Sequence, residues 1–132
     1  MISILNLTFS VIYDIDKLLE FEPVKPRWGN AMINRIFRAK IQPGKLSEWQ
    51  DKIEKFSIPW LKSQRGLLEY YPGKPLSPDF REFCMIMLWK DLDSLKEAVG
   101  EDITQVVLLE DEATLVEETS VDHYELFGLN ET

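Results

Sequence analysis

Phe83-Cys84-Met85-Ile86-Met87-Leu88-Trp89 is the stretch on which the fold turns. In an extended chain Phe83, Met85, Met87 and Trp89 point one way, and Cys84, Ile86 and Leu88 point the other. Both faces of this strand are therefore apolar. An antiparallel sheet with one wet face alternates apolar with polar residues instead. A chain of 132 residues has helices enough for one face only. The simplest cover for the other is a second copy of the same sheet.

Before this strand, Asn34 to Ile41 is strand-like, with Ile36, Phe37, Ala39 and Ile41 apolar and with Arg35, Arg38 and Lys40 leaving its faces partly polar. Pro43-Gly44 is turn chemistry. Leu46, Trp49, Ile53, Phe56 and Trp60 recur at spacings of three and four, which predicts an amphipathic helix. Pro59 should end or kink it near Ile58, because proline removes a donor and crowds the preceding turn. Leu67 to Tyr71 reads as a short strand closed by Pro72-Gly73.

After the greasy strand, Asp91 and Asp93 suit a helix start, and Leu92, Leu95 and Val99 carry that helix to Gly100. Val106 to Leu109 is an apolar run of no clear type. Glu110 to Leu115 reads as a helical turn, and Glu118 to Phe127 alternates as a last strand. The order strand, helix, strand, strand, helix, strand predicts an α+β, ferredoxin-like βαββαβ fold: one antiparallel sheet with helices on one face. Its bare apolar face predicts a closed pair of sheets about 10 Å apart.

Residues 1–31 read as an N-terminal appendage: a strand in which Leu5, Leu7, Phe9, Val11 and Tyr13 alternate with polar residues, then a stiff connection through Pro23 and Pro26. Residues 32–128 form the expected domain and 129–132 a tail.

Net charge is −8, which argues against nucleic acid as a partner. The charge is split: ten acidic residues and no Lys or Arg from Glu101 to Thr132, against nine basic and four acidic residues from Arg35 to Lys74. Solvated faces are the plain explanation; complementary patches at a subunit contact are the sharper one. One cysteine, Cys84, leaves no disulfide framework and no multi-cysteine zinc site, and in a strand it is a small hydrophobe. No stretch approaches a membrane span and the apolar start lacks a basic leader, so a cytoplasmic location is expected. Nucleophilic triads and phosphate loops are absent, and no cofactor is expected from motif.

The order and spacing resemble the antibiotic biosynthesis monooxygenase-like domain, a dimeric α/β barrel. The resemblance runs from Asn34 to Phe127. It rests on Pro43-Gly44-Lys45, Ile58-Pro59-Trp60-Leu61, Gln64-Arg65-Gly66, Phe83 to Asp91, Val106-Val107, Glu110-Asp111-Glu112 and Val121-Asp122-His123-Tyr124-Glu125. It implies a homodimer with a pocket between sheet and helices for a small aromatic or quinone-like molecule. Some relatives oxidise such molecules with O₂ and neither metal nor flavin, because the substrate itself supplies the electron.

A site of that kind needs an apolar pocket, a proton acceptor and a group that stabilises charge. His123, the only histidine, is the candidate base, Asn34 the polar stabiliser, and Trp89, Trp49 and Trp60 the substrate-binding walls. Each has a plainer explanation. A lone histidine is commonly structural, Asn34 can serve local backbone, and tryptophans on a stripe are commonly core. Asp91 with Asp93, and Glu110 to Glu112, read as caps and solvated turns.

A related branch degrades haem with an asparagine on strand one, a tryptophan ending strand three and a histidine on the second helix. Asn34 and Trp89 match, but no histidine lies between Asp91 and Leu115. Two non-enzymatic roles also fit the chain: a ligand-binding or stress-response dimer, and a protein-interaction role for the acidic tail or the N-terminal strand.

Overall fold

In the computed structural model, which describes residues 31–77, 79–109 and 111–129, the greasy stretch is a central strand of a four-stranded antiparallel sheet. The strands are β1 (Ile33–Ile41), β2 (Leu67–Gly73), β3 (Glu82–Trp89) and β4 (Val116–Glu125), in spatial order β2-β3-β1-β4. Helices α1 (Leu46–Lys52) and α2 (Ile58–Lys62) join β1 to β2, and α3 (Leu92–Val99) follows β3. A short 3₁₀ turn (Glu112–Leu115) leads into β4. This is the expected α+β, ferredoxin-like arrangement. The strand expected between Leu5 and Tyr13, and the rest of the appendage up to residue 30, lie outside the described residues.

Register sorts the side chains. Ile33, Phe37 and Ala39 of β1 pair with Trp89, Met85 and Phe83 of β3, and all six are buried against the helices. Ile36 pairs with Ile86 and Asn34 with Leu88, placing these four on the opposite face, where they are half-buried. Tyr71 lies beside Ile86 on that same outer face. The apolar character of both faces of β3 is thus real, and the described chain covers only one of them.

The first helical stretch departs from its expected form. A π-helical turn, Ile53–Ser57, is inserted between α1 and α2, and Pro59 sits in the first turn of α2 without ending the helix. The reason lies in the spacing of the residues that turn inward. Trp49, Ile53 and Leu61 are buried and Ser57 is half-buried, each four residues from the next. A regular α-helix drifts about 40° for every four residues, whereas a wider π turn keeps such a series on one face. The predicted stripe follows this path to Ile53 and then loses it: Phe56 is exposed and Trp60 only half-buried.

Two other boundaries shift for local reasons. Strand β2 continues through Pro72 to Gly73, because β2 is an edge strand and a missing N–H there breaks no ladder. Strand β4 starts at Val116, two residues earlier than expected, with a bulge at Glu117 between the pairs Ile41–Val116 and Lys40–Glu118, and it ends at Glu125, two residues short of the expected Phe127. Helix α3 is as predicted. The Asp91 carboxylate accepts from the Ser94 N–H at 2.8 Å, and Gly100 closes the helix at φ +104°.

Candidate functional site

The helix-side register of β1 carries one charged residue. Arg35 falls between Ile33 and Phe37, pairs with Met87 on one side and His123 on the other, and is 3% exposed. Its Nη1 donates to the carbonyl of Ile103 at 2.7 Å and contacts His123 Nε2 at 2.9 Å, and its Nη2 donates to the carbonyl of Gln105 at 3.0 Å. The guanidinium has only donors, so Nε2 accepts and the imidazole is neutral with its proton on Nδ1. Among the described residues no carboxylate lies within ion-pair distance of Arg35. Burial lowers its pKa to about 10.

Arg35 also lines a small cavity of about 50 Å³. Its floor is the sheet: Arg35, Phe37, Phe83, Met85, Met87 and Trp89. Ile53, Ser57, Trp60 and Leu61 form the helical wall, with Val99 from α3, and Val107, Leu109 and Glu112 complete it. The π turn matters here because it brings Ser57 and Leu61, rather than Phe56, to the cavity.

Glu112 is 2% exposed. Its Oε2 accepts from Ser57 Oγ at 2.6 Å and its Oε1 from the Leu109 N–H at 2.7 Å. A buried carboxylate persists when hydrogen bonds replace its water. The reading of Glu112 as part of a solvated turn is thereby corrected. The cavity is an apolar chamber carrying one cation and one carboxylate that do not pair with each other.

The expected site residues divide between places. Trp89 and Trp60 are in the chamber wall. Trp49 is not; it is packed into the core, 6.4 Å from Phe37 and 5.4 Å from Phe83 between ring centroids. The indole N–H groups of Trp49 and Trp89 are buried with no hydrogen-bond partner among the described residues.

His123 is on the helix side but stands behind Arg35 and is not among the residues lining the cavity. Asn34 is on the outer face, opposite Tyr124 and Leu88. Strand alternation therefore separates Asn34 from both His123 and the chamber. Among the described residues no three side chains of His, Cys, Asp or Glu converge as a metal ion requires.

Arg35 and Glu112 are the chamber residues that sequence reasoning missed. For Arg35 the signal was present: Ile33, Phe37, Ala39 and Ile41 alternate around it, and a charge in an apolar register is the informative exception. For Glu112 the only trace is its spacing of three from Leu115, which puts both on one side of a 3₁₀ turn.

No protein-family model matches the sequence, and no curated protein matches it. Solved structures do. SnoaB, a cofactor-independent oxygenase from Streptomyces nogalater, superposes with a TM-score of 0.58 at 10% identity, over 75% of this chain and 96% of its own. A protein from Caulobacter crescentus CB15, provisionally named an antibiotic biosynthesis monooxygenase, gives 0.57 at 15% identity, over 76% and 93%. A conserved protein from Methanosarcina mazei Go1 gives 0.57 at 19% identity, over 75% and 96%. This chain has the fold of the antibiotic biosynthesis monooxygenase-like proteins. At such identities the likeness establishes architecture and leaves substrate open.

Proposed function

We propose that this protein binds a small aromatic or quinone-like molecule between its sheet and its helices, and oxidises it with O₂ without a cofactor. The observation that carries this reading is the apolar chamber with Trp60 and Trp89 in its wall and a buried carboxylate at its edge. An electron-rich phenol that loses its proton becomes able to reduce oxygen. The protein's share is to exclude water, hold the ring and receive the proton. Glu112 has the acceptor capacity for that step, since two hydrogen bonds leave lone pairs on its oxygens. His123, with Nε2 committed to Arg35, holds the guanidinium in place. Asn34, on the outer face, serves the subunit contact.

That contact is the second part of the proposal. The protein is a homodimer in which two outer sheet faces stack, covering Ile36, Ile86 and Leu88. The cytoplasm is its proposed location; among the described residues no helix is long and apolar enough to cross a membrane.

The oxidation is tested by following oxygen uptake with a panel of hydroquinones and anthrones. Wild-type turnover that falls at least tenfold in Glu112→Gln is the expected result. No uptake above buffer with any of them overturns the enzymatic reading.

One observation favours a second reading, a non-catalytic binding protein. The chamber of about 50 Å³ is well under the roughly 150 Å³ that accepts benzene in a rigid core, and the fully buried Trp89 is one of its lining residues. Binding of a quinol without oxygen uptake would select that reading.

A further inference from the structure

From the two buried charges that face one cavity without pairing, we infer that the ligand is a single-ring aromatic acid that also carries a hydroxyl, its anionic oxygen on Arg35 and its O–H on Glu112. This rests on the reading above that the chamber receives an aromatic molecule, and it names the class.

Arg35 and Glu112 both line the cavity and both are at least 97% buried. Neither has a counter-charge within 4.0 Å among the described residues. Removing one partner of a buried pair is strongly destabilising, and an isolated buried charge is in the same position. Such a charge persists in a fold when something else meets it.

The hydrogen bonds already made show what is left to meet. A guanidinium has five N–H donors. Arg35 places two on Nη1, toward Ile103 and His123, and one on Nη2, toward Gln105. Among the described residues the N–H of Nε and the second on Nη2 remain without a partner. All three engaged partners are uncharged, so among the described residues nothing neutralises the positive charge. On the other side, the Glu112 carboxylate can only accept while ionised, and Ser57 and Leu109 occupy two of about four acceptor sites.

A complementary ligand therefore brings an anion to one group and a donor to the other, with an apolar body against Met85, Met87 and Trp89. Size limits the body. A cavity of about 50 Å³ admits one ring only if the wall yields; Trp60, Val107 and Leu109 are among its half-buried members. Two fused rings ask for far more.

The test is calorimetric titration of the full chain with 3- and 4-hydroxybenzoate, their amides, and benzoate. Each amide keeps the shape and removes the anion; benzoate keeps the anion and removes the hydroxyl. One hydroxybenzoate should bind at least tenfold more tightly than its amide and than benzoate, the size expected of a charge-assisted hydrogen bond. Arg35→Met should abolish the preference for acid over amide, and Glu112→Gln should weaken the preference for hydroxybenzoate over benzoate.

Should Arg35→Met fail to fold because Arg35 also ties down Ile103 and Gln105, the acid-against-amide comparison on the wild-type chain still decides. An amide that binds as tightly as its acid overturns this inference and leaves the chamber reading standing. If no ring compound binds at all, hydroquinones included, both fall together. Selective binding without oxygen uptake supports the inference while the enzymatic reading fails.

Discussion

His123 and Gly66 show how much a single position depends on its neighbours. Burial first, and the Arg35 charge second, hold the His123 imidazole below its ordinary value of 6.5, against an upward pull from Asp122. Between that lowered folded value and 6.5 the unfolded chain binds a proton that the folded chain refuses. Stability from His123 is therefore complete above the unfolded value, is lost as the pH falls through this window, and levels off below it. Thermal unfolding between pH 7.5 and 5.5 should show a steeper fall for wild type than for His123→Gln, whose amide oxygen still accepts from Arg35. Parallel curves would mean that this imidazole titrates alike in both states. Gly66 is a packing case. A Cβ placed there would meet Ser94 Cβ at 2.0 Å, because the start of β2 passes directly over α3, where the Lys90 N–H also bonds the Gly66 carbonyl at 2.8 Å. Gly66→Ala should destabilise by about 1–3 kcal/mol in denaturant titration, as overpacking does. Ser94→Ala keeps the clashing Cβ and should not relieve it; Ser94→Gly should relieve part of it.

At the scale of elements, the strands were legible in the sequence and the first helix was legible only halfway. Alternation in Phe83 to Trp89 and in Val121 to Glu125 assigns faces correctly, because a strand has a fixed period of two whatever its surroundings. Phe127, expected in the last strand, lies beyond its end and is exposed. Alternation also places His123 and Tyr124 on opposite faces, as the register shows. A helix has no such guarantee once it can widen. The series Leu46, Trp49, Ile53, Phe56, Trp60 obeys the 3.6 period, but packing chose the four-residue series Trp49, Ile53, Ser57, Leu61 and took up the difference in a π turn. A serine in that series hid it from a hydrophobic reading, although Ser57 is the group that bonds Glu112. The chamber was correspondingly half-read: its tryptophans stand out by type, whereas Arg35 and Glu112 become chamber residues only through tertiary burial. Two truncations separate the stripes. Leu61→Ala should lose about 2–5 kcal/mol of unfolding free energy, as buried leucines do. Phe56→Ala should lose well under about 1 kcal/mol, since Phe56 is 37% exposed and lies outside the buried core, with Lys52 Nζ 5.7 Å from its ring centre. Equal losses would put both residues in the core and refute the four-residue series.

For the whole molecule the open question is what covers the outer sheet face. Ile36, Ile86 and Leu88 form its centre, Tyr71 stands beside Ile86, and Tyr124 pairs with Asn34 at 53% exposure. Arg38 and Asp122 pair at 2.9 Å on the same face, next to this patch, so their charges are already balanced and do not oppose burial. A second sheet laid on this surface would remove several hundred Å² of apolar area from water, worth roughly 10 kcal/mol at about 25 cal/mol per Å², before the cost of association. Two-fold stacking of identical faces closes the assembly without leaving an edge to propagate. Ile86→Glu tests it at the point where two copies would meet. In the single subunit Ile86 is only half-buried, so the substitution should leave the fold intact by circular dichroism. In the dimer it would oppose two carboxylates in an apolar contact, and sedimentation velocity should then report a single 15.5 kDa subunit where the unaltered chain sediments as a pair. A wild-type protein that sediments as single subunits at the same concentration would leave the outer face to some other partner, because its apolar centre would still need cover.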